Sequence, residues 1–408
     1  MADPKESRTD WAERELEELM SLPFIAESVF RSPKKLDPTE KEVCDHLLFH
    51  KGEGVAISQK MQKDPLSRTE LRNEQWVKSR AVDAAEQLLG AIRTAKQKPI
   101  WCDHPRRGRV DFPDGLPPLR QGLVLIETWV PVDLQAEAAS LPLIYEGVPI
   151  SYFSAGDFVN LAFELRTITE LYAYLDARCS LPLSSLHLIG DERCLLKMYL
   201  LQNGTFAGCV GHADAKVVCA SKHDELDEIL RIKASHDEPA AYLEYVTNAL
   251  ATRHADALTG LSPQFLAAFD PNENRTSYLI MQEVLTDLRL MERAELGRAL
   301  LYVAESLAGK SEGMTFNSFR SDNRDRVLVL AASKGIPRQT VLERMVGLVH
   351  GAMAFYGEPQ GMFIVDRDGV SYDVGLTIPG YQPDEKDMQN GTEWFGKLRV
   401  KSTELGII

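Results

Sequence analysis

Long apolar runs are missing from this chain. None of its 408 residues falls in an apolar stretch of the ~20 residues that a helix needs to cross a bilayer. The opening MADPKESRTDWAERELEE is acidic where a signal peptide would be basic and then apolar. Paired cysteines are missing too. Cys44, Cys102, Cys179, Cys194, Cys209 and Cys219 contain no Cys-x-x-Cys, which leaves no zinc-ribbon signature and suggests reduced packing thiols in a cytoplasmic protein. There is no Gly-x-Ser-x-Gly elbow, no His-Glu-x-x-His and no dinucleotide fingerprint. Gly309-Lys310-Ser311 ends like a P-loop, but Ala304 replaces the first glycine and the triplet closes a helical stretch, which argues against a nucleotide-driven motor. Positive charge is scarce overall, at 46 Lys and Arg against 60 Asp and Glu.

That deficit is uneven. Residues 31–109 hold 17 Lys and Arg against 11 Asp and Glu, a local excess of six, so the rest carries −20 within a total of −14. A confined basic region on an acidic protein suits a localised phosphate-binding surface; lysine- and arginine-rich exposed helix faces give the same count. Hydrophobic content of 44% and charged content of 26% are those of a globular protein, and the length allows two or three domains.

The most informative stretch is Glu42 to Lys60, EVCDHLLFHKGEGVAISQK. Val43, Leu47, Phe49, Val55 and Ile57 mark two strands, with Lys51-Gly52-Glu53-Gly54 as the turn. Asp45 falls inside the first strand, where a carboxylate without a partner is costly. Ser58 and Lys60 are two apart on the second and share a face. A carboxylate, a polar group and a lysine converging across paired strands is what a metal-dependent phosphodiesterase needs. The same residues also read as a strand acid at a sheet margin and a solvated strand end.

On these residues the chain resembles the PD-(D/E)XK nuclease superfamily, in particular nuclease-related (NERD) and Mrr-like restriction domains. The resemblance implies an α/β restriction-endonuclease-like core running helix, three strands, helix, strand. The counterparts over the first 132 residues are a helix Asp10–Ser21, a strand Glu27–Arg31, the hairpin, a helix from about Ser67 to Lys96 and a strand Gly122–Val130. It implies Asp45 as the acid and Lys60 as the lysine, with Ser58 standing where the triplet has Asp or Glu. It also implies Mg²⁺ (or Mn²⁺) as cofactor. The second carboxylate is sought among Glu15, Glu27, Glu70, Glu74 and Asp103, with His104 as a further ligand.

The helix after the hairpin offers Ser67 and Glu70 as a capping box. The segment Lys98 to Arg109 reads as a loop because of Pro99, Pro105 and Gly108. Arg106, Arg107 and Arg109 are its candidate phosphate clasps and Trp101 a candidate base-stacking residue, the alternative being pairing with carboxylates and anchoring to the core.

Boundaries are placed to give 1–135 as the nuclease-like domain, 136–262 as a mixed α/β middle region and 263–408 as an α+β domain. The middle region offers a strand at Pro149–Phe153, one amphipathic helix over Asp157–Arg178, and Asp191-Glu192 as a turn or cation site. The last offers a helix Met281–Leu307, a strand Val327–Ala331, a helix Arg338–Phe355 and a hairpin around Asp368-Gly369. Two functions follow. One is a Mg²⁺-dependent endonuclease acting on nucleic acid, DNA foremost, in defence against foreign DNA or in repair. The other is a catalytically decayed relative that binds nucleic acid or a protein. No membrane partner is expected, and a homo-oligomer is left open.

Overall fold

The computed structural model describes residues 16, 19 and 22–404, apart from 37–40, 63–68, 96–98, 116, 129, 253–279, 321–325, 370 and 378–380. The protein is mixed α/β and divides into two compact units, Met1–Arg231 and Ile232–Ile408. Among the described residues no helix is long and apolar enough to cross a membrane.

The strands of the first unit are β1 (Val29–Lys35), β2 (His46–His50), β3 (Glu53–Lys60), β4 (Ile100–His104), β5 (Gly108–Phe112), β6 (Leu119–Ile126), β7 (Val132–Asp133), β8 (Ile144–Tyr145), β9 (Val148–Ser154) and β10 (Leu188–Ile189). Eight form one sheet in the order β5-β4-β1-β2-β3-β6-β9-β8, and β7 pairs with β10. β1, β2 and β3 are antiparallel neighbours, while β6 runs parallel to β3 and β9 parallel to β6. Lys51 and Gly52 turn β2 into β3 with φ of 49° and 80°, the pair of positive values a two-residue turn matching the strand twist requires.

Alternation along the strands sends residues to two faces. Phe30, Leu47, Ala56, Val124, Ile126 and Ile150 face the helix Glu70–Ala95, which packs Val77, Ala81, Ala84, Ala85, Leu88 and Ile92 against them. Three alanines in that row let the helix lie close. Gly122 admits Leu88, since a Cβ there would sit 2.6 Å from Leu88 Cδ2. Val29, Leu48, Val55, Ile57, Leu123 and Leu125 face the other way, onto helices Ala155–Leu165, Ile168–Cys179 and Glu192–Leu201. Each fully buried aliphatic side chain contributes roughly 1.5–3 kcal/mol.

Several expectations change. β1 starts at Val29, so Glu27 lies in the turn before it, and β6 ends at Ile126. The expected helix Asp10–Ser21 lies outside the described residues apart from Leu16 and Leu19, as do Glu15 and Ser67. The helix begins at Glu70, and Thr69 Oγ1 accepts from Arg72 N, which makes Thr69 the capping side chain. The supposed loop at 98–109 is the β4–β5 hairpin, with Pro105, Arg106 and Arg107 confined to its turn. The sheet does not stop near residue 135: β9 joins it beside β6. The single helix over 157–178 is two helices. Arg166 takes a left-handed conformation (φ 65°), and Thr167 caps the next helix by accepting from Glu170 N.

The second unit has a four-stranded sheet, β11 (Gly313–Arg320), β12 (Arg326–Lys334), β13 (Gln360–Arg367) and β14 (Ser371–Leu376), in that order. β12 and β13 are parallel, joined through the helix Arg338–Tyr356. Val327, Val329, Ala331, Phe363 and Val365 pack with Val341, Met345, Ala352 and Phe395. Asp368 and Gly369, at φ of 60° and 72°, form the β13–β14 turn as expected. The expected helix over 281–307 is broken. Its second part, Leu290–Glu305, starts afresh where Glu292 accepts from Arg289 N.

Glu192, expected in a turn, opens a helix and is buried. Its Oε1 accepts from Arg178 Nε and from the Tyr174 hydroxyl, both at 2.6 Å, and Arg178 is itself fully buried. Burial alone would raise the Glu192 pKa, but the charge of Arg178, with His212 assisting, wins and lowers it from 4.5 to about 2. The stability this pair contributes is therefore complete above about pH 4.5 and lost as pH falls towards 2. Glu192→Ala should cost about 3–5 kcal/mol at neutral pH, because Arg178 is left buried and unpaired. Urea denaturation reads this directly, and an unchanged midpoint contradicts it.

Candidate functional site

Asp45 sits one residue ahead of β2 rather than within it. It nonetheless keeps the ladder, since its N–H donates to Ile57 O at 3.0 Å and its carbonyl accepts from Ser32 N at 2.9 Å. Leu47, two residues on, faces the Glu70–Ala95 helix, and so does Ala56, two before Ser58 and four before Lys60. By alternation Asp45, Ser58 and Lys60 lie on that face of two adjacent strands.

Their side chains meet. Asp45 Oδ2 accepts from Gln59 N at 2.6 Å. The Ser58 hydroxyl donates to Gln87 Oε1 at 3.3 Å, and that oxygen also accepts from Lys60 Nζ at 2.6 Å. Burial pushes the Asp45 pKa up, opposed by the Gln59 N–H, the Lys60 charge and the Ser58 hydroxyl. Ser58 is fully buried, while Asp45, Lys60 and Gln87 are half-buried at the edge of the core. The Asp45 carboxylate is a hard oxygen donor of the kind that holds Mg²⁺ or Mn²⁺ retaining most of its waters. Among the described residues no three His, Cys, Asp or Glu side chains converge on a metal position.

Gln87 was not picked out from the sequence. A glutamine on an amphipathic helix looks like any solvated polar residue. The available signal was its place between Ala84 and Leu88, both buried against the sheet. Glu127 was missed as well. It follows β6, its N–H donates to Lys60 O at 3.0 Å, and its Oε2 accepts from Gln62 N at 2.8 Å.

The other predicted residues lie elsewhere. Phe49 N bonds Ser28 O while Asp45 O accepts from Ser32 N, so Glu27 is displaced from Asp45 along β1 by four or more residues. At ~3.3 Å per strand residue that is roughly 13 Å, too far for both to ligate one cation at ~2.1 Å. Glu70 is exposed at the helix start, and Glu74 pairs with Lys78 at 3.0 Å. Asp103 is exposed on β4 opposite Arg31, and His104 Nε2 lies 3.2 Å from Glu27 O.

The arginines mostly serve the fold. Arg106 Nη1 donates to Glu27 Oε1 at 3.2 Å, Arg107 Nη2 donates to Glu27 O at 2.6 Å, and Arg107 lies over the Phe30 ring. Arg109 pairs with Asp111 at 2.8 Å in a contact exposed on both sides. Trp101 lies between two cations, with Lys34 Nζ 5.0 Å and the Arg109 guanidinium 4.7 Å from its ring. No family model, curated protein or solved structure matches this chain.

The raised pKa of Asp45 means that its ionised form is less favourable in the folded chain than in the unfolded one. That cost grows as pH rises through the ordinary value of 3.8 and is fully present above the folded pKa. Asp45→Asn should therefore match or exceed the wild-type melting temperature at pH 7, with the gap narrowing below about pH 3.8. A variant clearly less stable than wild type at pH 7 contradicts this.

Proposed function

We propose that the first unit is a nuclease-like module acting on nucleic-acid phosphodiester bonds, with Asp45 and Lys60 at its centre. One observation carries the reading. Three antiparallel strands lead into the Glu70–Ala95 helix and then into a strand parallel to the third, and Asp45 and Lys60 share the face under that helix. This is the strand–helix–strand order of the restriction-endonuclease-like core that the sequence resembles. Asp45 would hold the divalent cation, which would supply Lewis acidity for phosphodiester hydrolysis. Lys60 places a positive charge beside Asp45, where charge develops on the phosphoryl group during attack. The Gln59 N–H fixes the Asp45 carboxylate by a hydrogen bond. Lys34 and Arg109, stacked on Trp101, lie at one end of the same sheet and offer charge to a phosphate backbone. Arg106 and Arg107 join them only by exchanging Glu27 for phosphate. DNA is the proposed partner, and defence against foreign DNA or repair the setting, by analogy of fold alone.

A second reading is favoured by Ser58, which gives the third strand a hydroxyl in place of a carboxylate. In that reading the site has decayed and the unit binds nucleic acid or a protein without cutting. Lys60→Ala separates the two. In a working enzyme it lowers Mg²⁺-dependent DNA cleavage roughly 10²-fold while leaving the fold and most DNA affinity intact. If the wild type cuts neither DNA nor RNA with Mg²⁺ or Mn²⁺, yet Ser58→Glu gains cleavage, the decayed reading holds. Cleavage undiminished by Lys60→Ala removes Lys60 from the chemistry.

A further inference from the structure

We infer that a cavity of the first unit is a docking site for a lysine side chain, carried on an apolar segment of a protein partner. It shares no residue with the Asp45 site. The cavity holds about 300 Å³ and is lined from β7, the short helix Leu183–Leu186, β10 and the start of the helix His212–Ser221. That volume is at the small end of ligand pockets and suits one long side chain. Asp133 and Asp214 line it, and among the described residues no lysine or arginine does. Asp133 Oδ1 accepts from Gln135 N and Asp214 Oδ2 from Val210 N, both at 2.9 Å. Among the described residues the second oxygen of each carboxylate has no hydrogen-bond partner.

A second observation points the same way. His212 also lines the cavity and is buried. Its Nε2 lies 3.4 Å from Glu192 Oε2, and an ionised carboxylate only accepts, so Nε2 carries the proton. Nδ1 is then an acceptor in the neutral ring, and among the described residues it has no hydrogen-bond partner. The ring thus stands between Glu192 and the cavity with an acceptor to offer. Ser184 and Ser185 add hydroxyl oxygens, and the Ser185 hydroxyl ties two walls together by donating to Val210 O at 3.3 Å. Gly211 lets those walls lie close, since a Cβ there would sit 1.8 Å from Ser185 Oγ. Acceptors gathered in one recess recognise a group made only of donors, and an ammonium has three donors and no acceptor. The positive end of the helix does not oppose it, because Asp214 in the first turn already answers that end.

The rim indicates what carries the ammonium. Leu183, Val210 and Val217 are 61%, 63% and 68% exposed. Val210 lines the cavity, Leu183 precedes Ser184, and Val217 stands one helical turn beyond the lining residue Ala213. A polar recess ringed by apolar side chains is how an interface keeps water from its central contact. Charge disfavours nucleic acid as the occupant, since the chain outside residues 31–109 carries −20.

Fluorescence anisotropy of a labelled peptide, Gly-Leu-Val-Lys-Leu-Val-Gly, titrated with the full chain tests this. Saturable binding is expected. Acetylating the lysine keeps its length and removes its charge, and should weaken binding about 10-fold or more, the scale of a hydrogen bond to a charged group. Asp133→Asn combined with Asp214→Asn should do the same. Each asparagine keeps an oxygen for Gln135 N or Val210 N, so the variant carries the test with its fold intact. Val210→Ser with Val217→Ser should also weaken the peptide, and n-butylammonium should bind far more weakly than the peptide does. No saturable binding, or binding unchanged by lysine acetylation or by the two asparagines, overturns the inference. If n-butylammonium binds as tightly as the peptide, the rim contributes nothing and the docking surface is overturned.

Discussion

Between the sheet and the helix of the first unit, a lysine, a buried serine and a half-buried carboxylate must all find partners. Leaving one buried polar group unanswered costs about 1–3 kcal/mol. One atom answers two of them: Gln87 Oε1 accepts from Lys60 Nζ and lies within reach of the Ser58 hydroxyl. The Asp45 carboxylate is answered by the Gln59 N–H. The helix can make this contact only because it lies close to the sheet, and that closeness comes from Ala81, Ala84 and Ala85 and from the glycine at 122 under Leu88. Packing and polar satisfaction thus act together: the apolar row places the glutamine, and the glutamine closes the polar end.

The same coupling explains why the site faces one way. Register in a strand has a period of two, so a slip of one residue would send Asp45 or Lys60 to the opposite face. Leu47 and Ala56 on one side, with Leu48, Val55 and Ile57 on the other, resist such a slip because both faces are buried. The common face of Asp45, Ser58 and Lys60 is therefore a consequence of core packing several residues away.

The parts of this arrangement legible in the sequence were those written in local alternation. Val43 to Ile57 signalled the hairpin, and the spacing of Ser58 and Lys60 signalled their common face. Asp368-Gly369 signalled its turn because only positive φ suits those positions. Less legible were features set by tertiary partners. Prolines and arginines made 98–109 look irregular, yet β1 supplies a ladder for β4, and Glu27 gathers Arg106 and Arg107 at the turn. Thr167 and Glu170 carried a capping signal that splits the helix over 157–178, but the apolar stripe on either side masked it. Glu192 read as a turn residue because nothing local shows that Arg178 is buried beside it. Gln87 was invisible for a similar reason: its role is defined by residues 27 and 29 positions earlier.

The proposed nuclease-like reading requires a cation at Asp45, on the same sheet face as Lys60. The most direct measurement is anomalous diffraction from crystals soaked in Mn²⁺. An anomalous peak is expected about 2.1–2.3 Å from an Asp45 carboxylate oxygen, on the side of the sheet covered by the Glu70–Ala95 helix. A peak only at other carboxylates, with the surroundings of Asp45 empty at saturating Mn²⁺, would contradict it.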